Sequence, residues 1–164
     1  MIRNIDDLEK VLSSRIIQAM KLTEDKIFKV ISEKIIEYYN EPVFNNELDP
    51  TEPVYYQRTG RLLEELTASH IEKNGNDYSF TVGYPDSYLS FKYRGGYVRG
   101  HRNNSYNKAT GLQVLKWMND HSHGGLVPGE HDYWDEALSE LGGEEGIIEL
   151  FKQNCIKVGI PIIK

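Results

Sequence analysis

Cysteine is nearly missing from this chain: Cys155 is the only one in 164 residues. No intrachain disulfide framework is available, and no thiolate metal site can be assembled from it. A reducing interior, or assembly inside a cell, is the natural expectation. Long apolar runs are missing too. No stretch approaches the roughly 20 consecutive apolar residues that cross a bilayer. The opening Met1-Ile2-Arg3-Asn4-Ile5-Asp6-Asp7 lacks the charged, apolar and small-residue regions of a signal peptide. No membrane contact is expected. Positive charge is in deficit, with 19 Lys and Arg against 25 Asp and Glu and a net charge of -6. That balance argues against general nucleic-acid affinity, which rests on neutralising phosphates.

What is present fits one globular domain over residues 1–164, large enough to bury a core. Hydrophobic residues make up 39% and charged residues 27%, with a mean hydropathy of -0.55. Eleven tyrosines are many for this length. Tyr joins apolar area to a hydrogen-bonding tip, which suits both subunit interfaces and strand surfaces.

Charge is unevenly placed. Between Ser87 and Asn119 there is no Asp or Glu, while Lys92, Arg94, Arg99, Arg102, Lys108 and Lys116 fall there. Between Asp120 and Glu149 the reverse holds, with acids throughout and no Lys or Arg. Two such blocks can be ordinary solvated faces, or they can pair within a subunit or across neighbours. Head-to-tail pairing of unlike surfaces closes into a ring when the rotation allows.

From Ile5 to Tyr39, Ile5, Leu8, Leu12, Ile16, Met20, Ile27, Ile31 and Ile35 recur at helical steps, predicting one long amphipathic helix or two in line. In the second case Thr23, followed by Glu24 and Asp25, caps the restart. Residues 40–58 hold Pro42, Pro50 and Pro53 and read as an extended loop or arm. Thr59 is placed to cap a short helix, Gly60 to take an unusual backbone angle at its entrance, and Leu62, Leu63 and Leu66 to face inward.

His70–Lys73 and Tyr78–Val82 then read as strands joined by the hairpin turn Asn74-Gly75-Asn76-Asp77. Tyr88–Tyr93 alternates again. Residues 94–110 are polar, Gly-bearing and basic, and read as a mobile loop. Leu112, Leu115 and Met118 suggest a helix ending near His121. Tyr133–Leu141 and a segment through Ile147, Ile148, Phe151 and Cys155 suggest two more, separated by Gly142-Gly143. The apolar tail Val158–Ile163 is expected to add a strand or dock elsewhere. The expected fold class is therefore α+β: a long N-terminal helix, a small antiparallel sheet built on a β-hairpin, and C-terminal helices.

Candidate chemistry is sparse. His101, His121, His123 and His131 lie close in sequence, and His can hold a metal or serve a nuclease. No His-Glu-x-x-His accompanies them, and loop or helix-end histidines are the ordinary explanation. No Gly-x-Ser-x-Gly elbow occurs. The segment Arg94-Gly95-Gly96-Tyr97-Val98-Arg99-Gly100 lacks the phosphate-loop and dinucleotide fingerprints. Its arginines, with Tyr88, Phe91, Tyr93 and Tyr106, form the one basic aromatic tract able to meet DNA. No catalytic residue, metal or cofactor is expected.

Pro53-Val54-Tyr55-Tyr56-Gln57-Arg58-Thr59-Gly60-Arg61-Leu62, set after a long helix and before a hairpin, resembles the small neck or tail-completion (minor tail component) proteins of long-tailed bacteriophages. Only this stretch matches at the level of letters; elsewhere the likeness is in the order of elements. The resemblance implies a virion component assembled in the host cytoplasm, working by protein–protein contact in a ring rather than by chemistry. Its implied partners are head-closure or connector proteins and the tail terminator or tube, with possible passing contact with DNA. Thr59, Gly60 and Leu62 take from it a structural role in fixing a helix start. Pro53 lies farther from Thr59 than in the compact Pro-Val-x-Thr-Gly pattern, which leaves neck, tail-completion and tail-terminator positions open. Arg94, Tyr97, Arg99 and Arg102, with Tyr88 and Tyr93, are the expected interface anchors, since aromatics and arginines dominate such contacts. A DNA-binding accessory protein and a metal-dependent nuclease are the alternatives.

Overall fold

A computed structural model describes residues 4–40, 60–85, 88–92, 106–110, 113, 116 and 132–162. The order of elements is α1 (Ile5–Asn40), α2 (Arg61–Glu64), β1 (Thr67–Ala68), β2 (Glu72–Asn74), β3 (Asp77–Ser79), β4 (Val82–Gly83), β5 (Tyr88–Lys92), β6 (Tyr106–Thr110), α3 (Tyr133–Glu140) and α4 (Gly143–Lys157). The strands form two-stranded pairs β1–β4, β2–β3 and β5–β6. This is an α+β mix, with the long N-terminal helix and the C-terminal helices in the expected places. The strands make separate ribbons rather than one sheet.

α1 is a single helix of 36 residues. Asn4 caps it by accepting the Asp7 N–H on Oδ1 at 2.7 Å, and Asp6 and Asp7 place negative charge on the first turn. Thr23 does not restart a second helix. Its hydroxyl donates back to the Ala19 carbonyl at 2.9 Å, a bond that lets a buried Thr sit inside a helix.

The described residues fall into two compact units, one within Met1–Val30, Ala68–Val82 and Leu138–Lys164, the other within Ile31–Thr67 and Gly83–Ala137. In the first unit, α1 buries Ala19, Met20, Thr23, Glu24, Ile27 and Val30, and α4 buries Asn154 and Cys155. In the second, Ile31, Ile35 and Tyr38 are buried, with Leu62, Leu66, Tyr84, Tyr133 and Ala137.

The hairpin forms at the predicted turn, with Asn74 opposite Asp77 and Glu72 opposite Ser79. Gly75 takes φ +62°, the left-handed angle that two-residue hairpin turns demand. His70 and Ile71, expected in the strand, lie outside it. Ser69 N–H donates to the Thr81 carbonyl at 2.8 Å, and the Ser69 hydroxyl accepts the Thr81 N–H at 2.8 Å. Between that contact and the Glu72–Ser79 pair, His70 and Ile71 stand against Phe80 alone, the two-against-one count of a β-bulge.

Residues 106–110 were expected in the basic loop but form β6, paired with β5 so that Tyr88 opposes Thr110 and Lys92 opposes Tyr106. Thr110 also starts the next helix. Its hydroxyl accepts the Gln113 N–H at 3.2 Å, while the Gln113 side chain accepts the Thr110 N–H at 2.9 Å, a reciprocal capping box. Gln113 and Lys116 are helical. The expected helical positions Leu112, Leu115 and Met118, residues 41–58 of the expected arm with Thr59, and residues 93–105 of the expected loop lie outside the described residues.

At the far end, residues 158–162 add no strand. Ile160 N–H bonds to the Cys155 carbonyl and Gly159 N–H to the Ile156 carbonyl, at 2.9 and 3.0 Å. With Gly159 at φ +82°, this is a Schellman ending of α4. The Gly159 carbonyl then accepts Arg15 Nη1 from α1 at 2.7 Å.

Candidate functional site

The residues singled out by sequence are placed as follows. Gly60 sits at the start of α2 with φ +78°, and its carbonyl accepts the Leu63 and Glu64 N–H groups at 3.0 and 3.1 Å. Leu62 and Leu66 are buried; Leu63 is half-buried. Tyr88 is the first residue of β5. Thr59, Tyr93, Arg94, Tyr97, Arg99 and Arg102 lie outside the described residues, as do His101, His121, His123 and His131.

Among the described residues, no three His, Cys, Asp or Glu side chains gather closely enough to hold a metal ion, and no helix is long and apolar enough to cross a membrane. His70 is exposed beside the bulge. Cys155 is buried, and desolvation pushes its thiol pKa up, which keeps the sulfur protonated and weakly nucleophilic.

Buried polar groups form two clusters. In the first unit, Asn154 Nδ2 donates to Thr23 Oγ1 at 3.0 Å, so α4 and α1 are joined through a hydroxyl that itself donates to Ala19. Lys157 Nζ reaches Asn154 Oδ1 at 3.3 Å. One residue on, Glu24 is only 1% exposed. Its Oε2 accepts Lys21 Nζ at 2.9 Å, while its Oε1 is buried without a hydrogen-bond partner. The bonds to Glu24 and Asp25 raise the Lys21 pKa. A carboxylate half-answered in this way costs stability.

In the second unit the polar contacts are aromatic. The hydroxyls of Tyr84 and Tyr133 lie 3.3 Å apart, and the rings of Tyr38 and Tyr133 stack at 6.4 Å between centroids and 23° between planes. These three tyrosines serve the core. Tyr78 differs, carrying the Lys73 ammonium 5.5 Å from its ring centroid. Lys73 also meets Ser13 and Glu9 of α1 at 3.2 and 3.8 Å.

The remaining features are surfaces. The first turns of α1 expose Ile5, Leu8, Val11 and Leu12. The outer side of α4 exposes Ile148 beside Glu145 and Glu149, and Ile156 beside Lys152. Comparison with known proteins gives no match to a family model, to a curated protein or to a solved structure.

Proposed function

We propose that this chain is a structural protein of a long-tailed bacteriophage virion, placed at the head–tail junction or the head-proximal end of the tail and acting by assembly in a ring. The observation that carries the reading is the Pro53–Leu62 motif, standing between a long helix and a β-hairpin. The opposed charge blocks support it, since unlike surfaces on one subunit suit head-to-tail contacts with its neighbours. The mechanism is surface complementarity, with Arg94, Tyr97, Arg99 and Arg102 as anchors, beside Tyr88 and Tyr93, and no catalytic step.

Electron microscopy of particles made without the gene tests this. Filled heads beside unattached tails are the expected outcome, and aberrant tail lengths point to tail termination instead. Complete, normal particles overturn the virion role. Reversing Arg99 and Arg102 to Glu is expected to leave the protein folded while lowering particle yield.

The acid-free basic aromatic tract from Ser87 to Asn119 favours a second reading, a DNA-binding accessory protein. That reading requires duplex or single-strand binding that weakens steeply with added salt.

A further inference from the structure

We propose that the outer face of α4 is the docking surface for the basic Ser87–Asn119 segment of a second copy of this chain. The proposal rests on the ring-assembly reading and names the two surfaces that meet.

α4 has two unlike sides. Asn154 and Cys155 are buried, and Ile147, Leu150 and Phe151 are half-buried on the inner side. Glu145, Ile148, Glu149, Lys152 and Ile156 recur at three- and four-residue steps on the other side, and all are exposed. Residues so spaced form one band along a helix. Ile148 is 46% and Ile156 61% exposed, one turn to either side of Lys152. Lys152 lies 3.7 Å from Glu149 of its own helix, so that cation is already partly answered. Glu144 and Glu145 form no ion pair among the described residues. The band is thus apolar at Ile148 and Ile156 and negative at Glu145 and Glu149 in its first half, while Lys152, paired with Glu149, stands between the two isoleucines.

An occupant must bring positive charge together with apolar or aromatic surface. Nucleic acid is repelled by these carboxylates. The chain carries the matching chemistry itself, between Ser87 and Asn119, where cations alternate with aromatics and no acid intervenes. The β5–β6 register gathers part of it: Ser90 opposes Lys108 and Lys92 opposes Tyr106. Residues two apart along a strand share a face, which puts Lys92, Lys108, Tyr88 and Tyr106 at positions on one face of the ribbon. Leu89, Phe91 and Ala109 fall on the other. The two halves of the contact are different surfaces, so it is heterologous and each copy can both give and receive it.

Sedimentation velocity on the full chain tests the proposal, in 0.1 M and 1 M salt, where charges are screened over about 10 Å and about 3 Å. The native protein is expected to sediment as an oligomer at 0.1 M and to dissociate at 1 M. Glu145→Lys/Glu149→Lys and Lys92→Glu/Lys108→Glu are each expected to be monomeric at 0.1 M, self-association falling at least about tenfold. Mixed in equal amounts, they supply one native contact between them and one with both charges reversed, so association should return at 0.1 M salt. Ile148→Ser/Ile156→Ser breaks the same face without changing charge and should also weaken association. Circular dichroism checks that each variant is folded. A native protein that is monomeric at both salts, a Glu145→Lys/Glu149→Lys variant that associates like the native chain, or a mixture that stays monomeric overturns the proposal. Those outcomes leave the virion role to the particle experiment, and normal particles without the gene overturn that role while leaving this contact standing.

Discussion

Two stretches of α1 carry the same apolar stripe and meet opposite fates. From Ala19 onward the stripe is buried: Ala19, Val30 and Ile35 are fully inaccessible, and Ile27 and Ile31 nearly so. Before Ser13 it lies open, with Ile5 82% and Leu8 50% exposed and Leu12 exposed beside them. The helical period runs through both stretches, because it records that one face must leave water and says nothing of what covers it. Where the described chain supplies the cover, the stripe is core. Where it does not, the same residue types form a surface.

The largest effect sharpening this contrast is expected from Ile35→Ala. Ile35 is fully buried, so truncation removes transfer energy and leaves a cavity, costing about 3 kcal/mol. Urea unfolding should show the midpoint fall with the slope unchanged. A cost under about 1 kcal/mol would mean that the second unit yields around the gap and is not close-packed there.

A smaller loss is expected at Thr23. Thr23→Val keeps the shape but removes the oxygen that receives Asn154 Nδ2, leaving a buried donor unmade at about 1–2 kcal/mol. Asn154→Ala removes the donor, and the double variant should lose less than the sum of the two single losses, with a coupling of about 1 kcal/mol. Strict additivity would mean that the bond contributes nothing to joining α1 and α4. Next in the same stretch, Glu24 should act in the opposite direction. Its Oε1 is buried and unanswered, so Glu24→Met, with similar bulk and no charge, is expected to stabilise by about 1 kcal/mol. A loss of stability would show that the Lys21 pair outweighs the burial of the carboxylate.

The contrast also explains what sequence reasoning could reach. Features set by local pattern were readable: the start of α1 at Ile5, its end within a residue of Tyr39, the turn at Gly75, and both C-terminal helices about the Gly142-Gly143 break. Features set by a remote or side-chain partner were not. His70 and Ile71 look like strand residues, and only the Ser69–Thr81 contact reveals the bulge. Tyr106–Thr110 is polar and reads as loop, because its strand character comes from pairing with Tyr88–Lys92. The Thr110-x-x-Gln113 box was a usable signal for the following helix. Gly159 before Ile160 and Pro161 likewise marked a helix ending rather than a strand. Of the interface expectations, the basic block was visible as composition. The counterpart proposed for it on α4 needed the burial pattern to separate the exposed Ile148 and Ile156 from the core-facing Phe151 and Cys155.

The smallest expected change in stability is the most informative about the exposed stretch. Ile5→Ser and Leu8→Ser remove apolar area that the described chain leaves in water, so each should shift stability by no more than about 0.5 kcal/mol. Lower helix propensity accounts for part of that. If unfolding is unmoved while particle yield falls, the open turns of α1 are a contact surface in the assembled state. If instead either change costs as much as a core truncation, these turns are covered in the free protein, and the division of α1 into a buried and an open stretch fails. The measurement that decides is the denaturation midpoint of Ile5→Ser/Leu8→Ser beside that of Ile35→Ala, taken under the same conditions.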